Sequence, residues 1–269
     1  MTKAIENLTI DEVMTLYQFG MSTQEILIME CKNFTQLSYN NPKLKEYLDR
    51  INNILIRQKQ FGIVSLSCRD KDFPKSLLDI GEDCPPVIHC KGNIDLLKRT
   101  DNIAIIGARS ADKQGNAIAY KLGHKYGQIG NVIVSGLALG CDTSAHYGCL
   151  DVGGATIAIV GSGLDICHPK ENKPLEQMIL QQGGLLISEQ IIGVKANPTR
   201  LIARNRLQAA MSHIVILAQC PAQSGSLHTM SFARKYGREC LATTFPYRTD
   251  KNAGNYALID SGQANPLII

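Results

Sequence analysis

The chain has 269 residues, of which 44% are hydrophobic and 19% are charged, and its formal net charge is +4 at pH 7. Such a chain can hold one large globular domain plus a smaller one, and nothing in its composition indicates disorder. It has no continuous apolar stretch of membrane-spanning length, and its first residues lack the apolar core of a signal peptide, so we expect a cytoplasmic protein outside the membrane. The small net charge permits a polyanionic partner without requiring one.

The nine cysteines indicate neither a disulfide framework nor a zinc site. They are odd in number, they are scattered through the chain, and no Cys-x-x-Cys pair occurs among them. We therefore expect small buried side chains in a reducing compartment, and no metal. Cys141 is the exception, because a thiol at the start of a predicted helix can have a lowered pKa.

Residues 1–58 are predicted to form a small helical N-terminal domain. Apolar residues recur at helical spacing over most of this range, and Thr9 followed by Glu12 is a candidate capping box. An Asn-Asn-Pro break at residues 40–42 divides the pattern, which predicts three or so short helices. We interpret this domain as a packing or partner-docking module.

Residues 61–269 are predicted to form the main domain, and residues 61–100 are its lead-in segment. Within that segment the pattern predicts a short strand at Gly62–Leu66, a brief helix within Phe73–Leu78 and an extended stretch at Cys84–His89. The lead-in contains no recognisable catalytic constellation.

From Ile103 onward, apolar β-branched runs alternate with helical patterns. The predicted helices are Lys113–Ile129, Thr143–Leu150, Lys173–Gln182, Leu201–Met211, Leu227–Tyr236 and Tyr256–Asp260. Strict alternation with short loops requires parallel strands and right-handed crossovers, so the fold class is α/β, Rossmann-like, with a mostly parallel sheet. Gly107 is followed by Ala-Arg-Ser, so the G-x-G-x-x-G fingerprint is missing and no dinucleotide cofactor is expected.

The predicted strands end in glycines and small polar residues on one side of the sheet. In an α/β sheet ligands bind at this edge, because glycines let them approach the backbone and free helix N–H groups attract anions. The polar groups here are donors suited to phosphate oxygens, which predicts a phosphate-bearing ligand. They belong to Arg109, Ser135, Ser162, Asn172, Ser188, Ser224, Ser226 and Thr229, followed by Arg200, Arg204, Asn205 and Arg206.

No catalytic set stands out among the acids and histidines. No spacing in the sequence brings together two carboxylates or a Ser-His-Asp set. Asp142 and His146 are four residues apart, so we expect them to pair along a helix, as a structural pair rather than a catalytic dyad. The chain is therefore not predicted to be an enzyme.

A local positive cluster follows the extended Asn197-Pro198 pair. Arg200, Arg204 and Arg206 lie within seven residues, and Lys195 adds to them in a chain that is otherwise nearly neutral. We interpret the cluster as a polyanion contact, because arginine and lysine contacts dominate the binding of nucleic-acid backbones.

Taken in order, these motifs resemble the DNA-processing protein A family (DprA, also called Smf). The resemblance covers roughly Phe61 to Gly262 and includes the lead-in pairs Phe-Pro at 73, Pro-Pro at 85 and Lys-Gly at 91. The motifs are GAR from Gly107, SGLALGCD from Ser135, AH from Ala145, GSGLD from Gly161, HPKEN from His168, SEQIIG from Ser188, ARNR from Ala203 and SGSLHT from Ser224.

The resemblance implies an extended Rossmann fold that binds single-stranded DNA, dimerises and helps load a RecA-type recombinase during natural transformation. It implies no enzymatic activity. It also implies site residues: Gly107 and Arg109 match the GxR motif, in which the arginine contacts the DNA backbone. The other matches are Ser135 and Gly136 in the SGxAxGxD turn, Arg204, Asn205 and Arg206 in the RNR motif, and Ser224, Gly225, Ser226 and Thr229 in the SGSxxT turn.

The chain departs from the family pattern at several positions, which include Cys141, His168, the Leu201-Ile202 pair and the two described next. Leu139 stands where the family usually has arginine, and Gln219 stands where it usually has glutamate. Single strands fit the sequence better than duplex DNA, because it shows no helix-turn-helix recognition helix and no basic arm for a groove.

An alternative function is nucleotide binding or hydrolysis on a related scaffold, similar to the lysine-decarboxylase-like (LOG) phosphoribohydrolases. Those proteins use a Pro-Gly-Gly-rich turn with a catalytic glutamate and arginine. Here residues 221–226 read Pro-Ala-Gln-Ser-Gly-Ser, and no acidic residue follows closely. This disfavours the alternative.

Overall fold

The structure is a computed structural model that describes residues 8–269. Four helices, α1 to α4, come first; strands and helices then alternate to the end of the chain. The helices are α1 (Ile10–Gln18), α2 (Thr23–Ile28), α3 (Cys31–Tyr39), α4 (Pro42–Gln60), α5 (Lys75–Leu78), α6 (Lys113–Gln128), α7 (Cys141–Leu150), α8 (Lys173–Gln181), α9 (Pro198–Ala210), α10 (Ser226–Lys235) and α11 (Ala253–Asp260). The strands are β1 (Ile63–Ser67), β2 (Val87–Gly92), β3 (Ile103–Ile106), β4 (Ile133–Ser135), β5 (Thr156–Val160), β6 (Leu185–Ser188), β7 (Ile214–Leu217), β8 (Glu239–Thr243) and β9 (Asn265–Leu267).

The N-terminal helices form a bundle of four, where the sequence predicts three or so. The predicted capping box is present, since the Thr9 N–H donates to Glu12 Oε2 at 2.7 Å. The buried residues of the bundle belong to the same apolar core as those beneath the sheet. The hydroxyl of Thr23 also donates to the carbonyl of Cys84 at 2.7 Å, which ties the bundle to the lead-in segment.

All nine strands of residues 8–269 form one sheet, in the order β1-β2-β6-β5-β4-β3-β7-β8-β9. β2 is antiparallel to both β1 and β6, and every other pair is parallel, so the prediction of an α/β fold with a mostly parallel sheet is confirmed. β8 and β9 are not among the predicted elements. β9 is a three-residue edge strand that contains Pro266, and proline is confined to such edges because it cannot donate to a central ladder.

Several helices begin earlier than the periodicity predicts. α9 begins at Pro198 rather than Leu201, because the side chain of Asn197 accepts from the Arg200 N–H at 2.8 Å and proline suits the first helical position. α7 begins at Cys141, two residues before its predicted start. A capping side chain or loop geometry therefore decides these ends, and the apolar spacing does not show it.

The strand order creates a topological switch point between β3 and β7. From β3 the chain adds β4, β5 and β6 on one side, then crosses over and adds β7, β8 and β9 on the other. The loops after β3 and β7 therefore leave the sheet in opposite directions, and they open a crevice at the carboxyl ends of these strands. Ligands of α/β proteins bind at such crevices.

Within residues 8–269, the structure has no helix that is both long enough and apolar enough to cross a membrane. Within residues 8–269 no disulfide joins any of the nine cysteines; seven are buried, and Cys31 and Cys167 are half-buried. This matches the expectation of small buried side chains.

Candidate functional site

A cavity of about 400 Å³, here called the central cavity, occupies the switch point. The loops after β3, β4 and β7 and the first turns of α9 and α10 enclose it. Eight of the twelve predicted site residues line it: Gly107, Arg109, Arg204, Asn205, Ser224, Gly225, Ser226 and Thr229. Gly136 lines an adjoining cavity of about 430 Å³, which shares Arg109, Ala138, Leu201 and Arg204 with the central cavity.

Arg109 is an exposed, positively charged residue that lines both cavities. Its side chain is exposed, and it makes none of the hydrogen bonds or ion pairs found among residues 8–269. The adjoining cavity also has Lys170 in its wall, whereas Leu139, 40% exposed, supplies an apolar rim. Glu171 is exposed beside Lys170 in the same wall, so the net positive charge accessible to a ligand here comes from Arg109.

Arg204 forms the floor of the central cavity and is turned inward. It is only 6% exposed, and its Nη1 donates to the Gly136 carbonyl at 2.8 Å and to the Ile159 carbonyl. Burial lowers the pKa of Arg204 to about 10, and the nearby carboxylate of Asp142 opposes this shift. Burial also raises the pKa of Asp142, which accepts from the Gly136 N–H at 3.1 Å. Each of these buried charges therefore partly compensates the other.

A side chain at Gly136 would displace the buried guanidinium of Arg204, which lies directly against this glycine. A Cβ atom at this position would lie 2.1 Å from Arg204 Nη1 and 2.3 Å from Nη2. The glycine of this turn therefore makes room for the buried arginine.

Arg206 and Arg200 are also engaged with the protein. Arg206 Nη1 and Nη2 donate to the carboxylate of Glu189 at 2.6 and 2.5 Å, and its Nε donates to the Asp83 carbonyl at 2.7 Å. Arg200 is half-buried, and its Nη1 donates to the Lys195 carbonyl at 3.0 Å. The three arginines therefore do not form one positive surface, because the side chains of one helix point in different directions.

The turn after β7 is fixed by hydrogen bonds to two neighbouring elements. Ser226 Oγ donates to the Gly107 carbonyl at 2.7 Å, and Asn205 Nδ2 donates to the Gly225 carbonyl at 3.1 Å. Ser224 is half-buried and Gly225 is exposed at the mouth of the central cavity. The turn is thus held in place while its outer face stays open to a ligand.

Ser135 and Asn172 do not line the central cavity. Ser135 is fully buried, and its hydroxyl donates to the Ile105 carbonyl at 2.7 Å. Asn172 Nδ2 donates to the Leu137 carbonyl at 2.7 Å and to Thr143 Oγ1 at 2.8 Å. Leu137 has a φ of 57°, which is rare for a residue with a branched side chain, so Asn172 supports a strained turn. No sequence signal identifies Leu137 as such a position.

Asp142 and His146 do not pair, so the predicted contact is wrong. His146 Nδ1 lies 2.7 Å from Thr156 Oγ1, and that hydroxyl donates to the Ile133 carbonyl, so Nδ1 carries the proton. Burial lowers the pKa of His146 to about 3, which keeps the ring neutral. The two side chains serve different parts of the core and form no acid–base pair.

The expectation for Cys141 is also wrong. Its thiol is fully buried against the carbonyl of Gln219, and burial raises its pKa to about 12 rather than lowering it. Loss of hydration outweighs the helix N-terminus here. Among residues 8–269, no group of three or more histidine, cysteine or acidic side chains is placed to hold a metal ion.

The side chain of Gln219 makes two hydrogen bonds with Asp112, one as acceptor and one as donor. Gln219 Oε1 accepts from the Asp112 N–H at 3.0 Å, and its Nε2 donates to Asp112 Oδ2 at 3.1 Å. Asp112 also caps α6, because its Oδ1 accepts from the Gly115 N–H at 2.8 Å. The Gly115 bond is the main cause that lowers the pKa of Asp112, and the Gln219 bond adds to it.

We expect Gln219→Glu to lower the free energy of unfolding at neutral pH by about 1 kcal/mol or more, because a hydrogen bond is lost and two carboxylates meet. One of the two carboxyls then has a raised pKa in the folded state. The destabilisation should therefore shrink as the pH falls through that pKa, where the carboxyl binds a proton and can donate. Urea denaturation at several pH values measures this, with Gln223→Glu, an exposed position in the same cavity wall, as the control. A loss that does not depend on pH would contradict the interpretation.

The chain matches one family of known proteins over most of its length. Residues 65–268 match the DNA recombination-mediator protein A family. The chain is 33% identical over 257 residues to the DNA processing protein DprA of Streptococcus pneumoniae, which is 95% of this chain and 89% of that protein. It is 35% identical over 176 residues to the protein Smf of Synechocystis sp., which is 64% of this chain but 44% of that protein. This chain therefore spans less than half the length of the Synechocystis relative.

Two solved structures extend the comparison. The X-ray structure of DNA processing protein A from Streptococcus pneumoniae matches with a TM-score of 0.81 and 32% identity, covering 97% of this chain and 95% of that one. The structure of DNA processing protein A from Helicobacter pylori, which concerns single-stranded DNA binding, matches with a TM-score of 0.67 and 32% identity. That match covers 76% of this chain and 90% of the other.

Proposed function

The chain belongs to the DNA recombination-mediator protein A family, the DprA/Smf proteins, and from that premise we propose that it binds single-stranded DNA in natural transformation. The observation that carries the proposal is the exposed Arg109 at the switch point, beside an open turn. Arg109 has no carboxylate partner among residues 8–269, so its guanidinium is available to phosphate. The match to a relative whose single-stranded DNA binding mode has been studied supports the same function.

The predicted site residues divide into two groups by their contacts. We propose that Arg109, Ser224 and Gly225 contact the DNA backbone, since they face the mouth of the central cavity. The others hold that surface in place through internal contacts; for Thr229 this is a hydrogen bond with the side chain of Gln208. They are Gly107, Ser135, Gly136, Asn172, Arg204, Asn205, Arg206, Ser226 and Thr229.

We expect Arg109→Ala to weaken binding of a single-stranded oligonucleotide by about 1 kcal/mol or more. It should also reduce the slope of log affinity against log salt concentration by about one, as expected for one lost phosphate contact. The side chain is exposed, so its removal should leave the fold unchanged. Fluorescence anisotropy of a labelled oligonucleotide across a salt series measures both effects. The control is Lys121→Ala, which removes an exposed positive charge from α6 away from the cavity. Equal losses in both variants would indicate a nonspecific effect of net charge.

Three finer parts of the proposal are predictions. We propose that the chain acts by binding rather than by catalysis, that it forms a homodimer and that it helps load a RecA-type recombinase. The first has support in the site, because Asp142 and His146 do not form a pair there. The alternative of nucleotide hydrolysis has no further support, because residues 221–226 are not followed closely by an acidic residue.

A further inference from the structure

A second cavity, here called the bundle cavity, lies where the N-terminal helices meet the main domain. It has a volume of about 430 Å³. Residues of α1 and α4 form one wall, and β2, the segment 189–194 and Arg200 of α9 form the other. Arg200 is followed in the chain by Leu201 and Ile202, which line the central cavity, so both cavities border the first turn of α9.

The bundle cavity is positively charged. Arg50 is exposed and makes none of the hydrogen bonds or ion pairs found among residues 8–269, and Arg200 bonds only a carbonyl there. The one acidic residue in the wall is Glu189, and its carboxylate is already bound to both terminal nitrogens of Arg206. Two arginines without carboxylate partners therefore face this space, an arrangement suited to a phosphate group.

The remaining wall suits an aromatic base. Tyr17 and Tyr47 are 49% and 36% exposed, and apolar residues of α4 and β2, including Ile51 and Val87, continue the surface behind them. Aromatic side chains at such a surface stack on any nucleobase. Two tyrosines, an apolar surface and two arginines without carboxylate partners thus offer the two kinds of contact that a nucleotide requires.

His89 adds a buried polar group to the wall of the bundle cavity. It is 1% exposed and lines the cavity, and its Nδ1 lies 2.8 Å from Ser65 Oγ and 3.1 Å from Gln58 Nε2. The amide nitrogen of Gln58 can only donate, so Nδ1 accepts and Nε2 carries the proton. Burial lowers the pKa of His89 to about 4, so the ring is neutral. Its Nε2–H is therefore a fixed donor for an acceptor on a base.

We propose that the bundle cavity binds one nucleotide, with the base against Tyr17 and Tyr47 and the phosphate at Arg50 and Arg200. Its volume lies within the range of pockets that enclose small molecules, roughly 300–1,000 Å³. The nucleotide has two sources with the same chemistry: a free nucleoside monophosphate, or the next unit of a strand held in the central cavity. The second source rests on the proposed function, because the strand would have to cross the first turn of α9.

Calorimetric titration of the full chain with thymidine monophosphate, thymidine and inorganic phosphate tests the free-nucleotide source. We expect the nucleotide to bind at least about tenfold more tightly than either part alone. Arg50→Gln and Tyr17→Leu should each weaken that binding by about tenfold, and both side chains are exposed, so the fold should survive. The control Lys45→Ala, an exposed residue of α4 outside the cavity, should change nothing.

A length series of oligothymidylates with the same variants and Arg109→Ala tests the strand source. If the strand supplies the nucleotide, Arg50→Gln weakens only the longer oligonucleotides, whereas Arg109→Ala weakens all of them. If oligonucleotides bind through Arg109 but no ligand responds to Arg50→Gln or Tyr17→Leu, the bundle cavity is not a nucleotide site and the proposed function stands. If the monophosphate binds through Arg50 while no oligonucleotide binds at low salt, the proposed function fails and the nucleotide site stands.

Discussion

Arg204→Ala is expected to lower the free energy of unfolding by about 3–5 kcal/mol, because it leaves the buried carboxylate of Asp142 without its compensating charge. It also leaves the carbonyls of Gly136 and Ile159 without their donor. The loss should be largest at neutral pH. The pKa of Asp142 is already raised by burial, so its carboxyl binds a proton in the folded state more readily than in the unfolded state. As the pH falls through that raised value, the penalty should shrink.

Urea denaturation of the wild type and of Arg204→Ala at several pH values measures this effect. Arg109→Ala is the matched control, since it removes the same side chain from the exposed rim of the same cavity and should leave the unfolding free energy nearly unchanged. The result also decides how DNA-binding data are interpreted. If Arg204→Ala kept wild-type stability and lost only affinity, Arg204 would be a ligand contact and its structural role would be wrong.

Gly123→Ala is also expected to lower the free energy of unfolding, because α6 and α7 pack closely against each other at glycine residues. A Cβ atom on Gly123 would lie 2.1 Å from the Ala145 carbonyl oxygen, and one on Gly148 would lie 2.1 Å from the Tyr120 carbonyl oxygen. Both contacts are with backbone, which cannot rotate away. Forcing the helices apart costs about 2–3 kcal/mol, of which the better helix propensity of alanine offsets about 1 kcal/mol.

Gly127→Ala is the comparison for this prediction. It lies one turn further along α6, and its nearest new contact would be the side chain sulfur of Cys149 at 3.1 Å. This contact and those with Cys149 Cα and Val152 Cγ2, both at 3.2 Å, require shifts of only a few tenths of an ångström, so the loss of stability should be clearly smaller than for Gly123→Ala. Thermal and urea unfolding of both variants measure the difference. Equal effects would show that the helices are not held at a fixed separation.

The sequence by itself determined the fold class and the edge of the sheet where the candidate site lies. Alternating apolar strands and amphipathic helices require parallel strands, and parallel strands place all their carboxyl-end turns on one side. Gly107, Arg109 and Ser224 could therefore be assigned to one region before any distance was known. The ordered motifs also identified the family. These properties depend on local spacing and local residue types, which a sequence contains directly.

The tertiary structure alone decided the strand order, the switch point between β3 and β7, and the direction of each polar side chain. Arg109 and Arg204 have the same chemistry and both occur in family motifs, yet one is exposed and the other lies 6% exposed beneath Gly136. The difference arises because α9 packs one face against the sheet, and Asp142, distant in the chain, partly compensates the buried charge. Burial and charge compensation are sums over residues far apart in sequence. Spacing along the chain therefore cannot supply them.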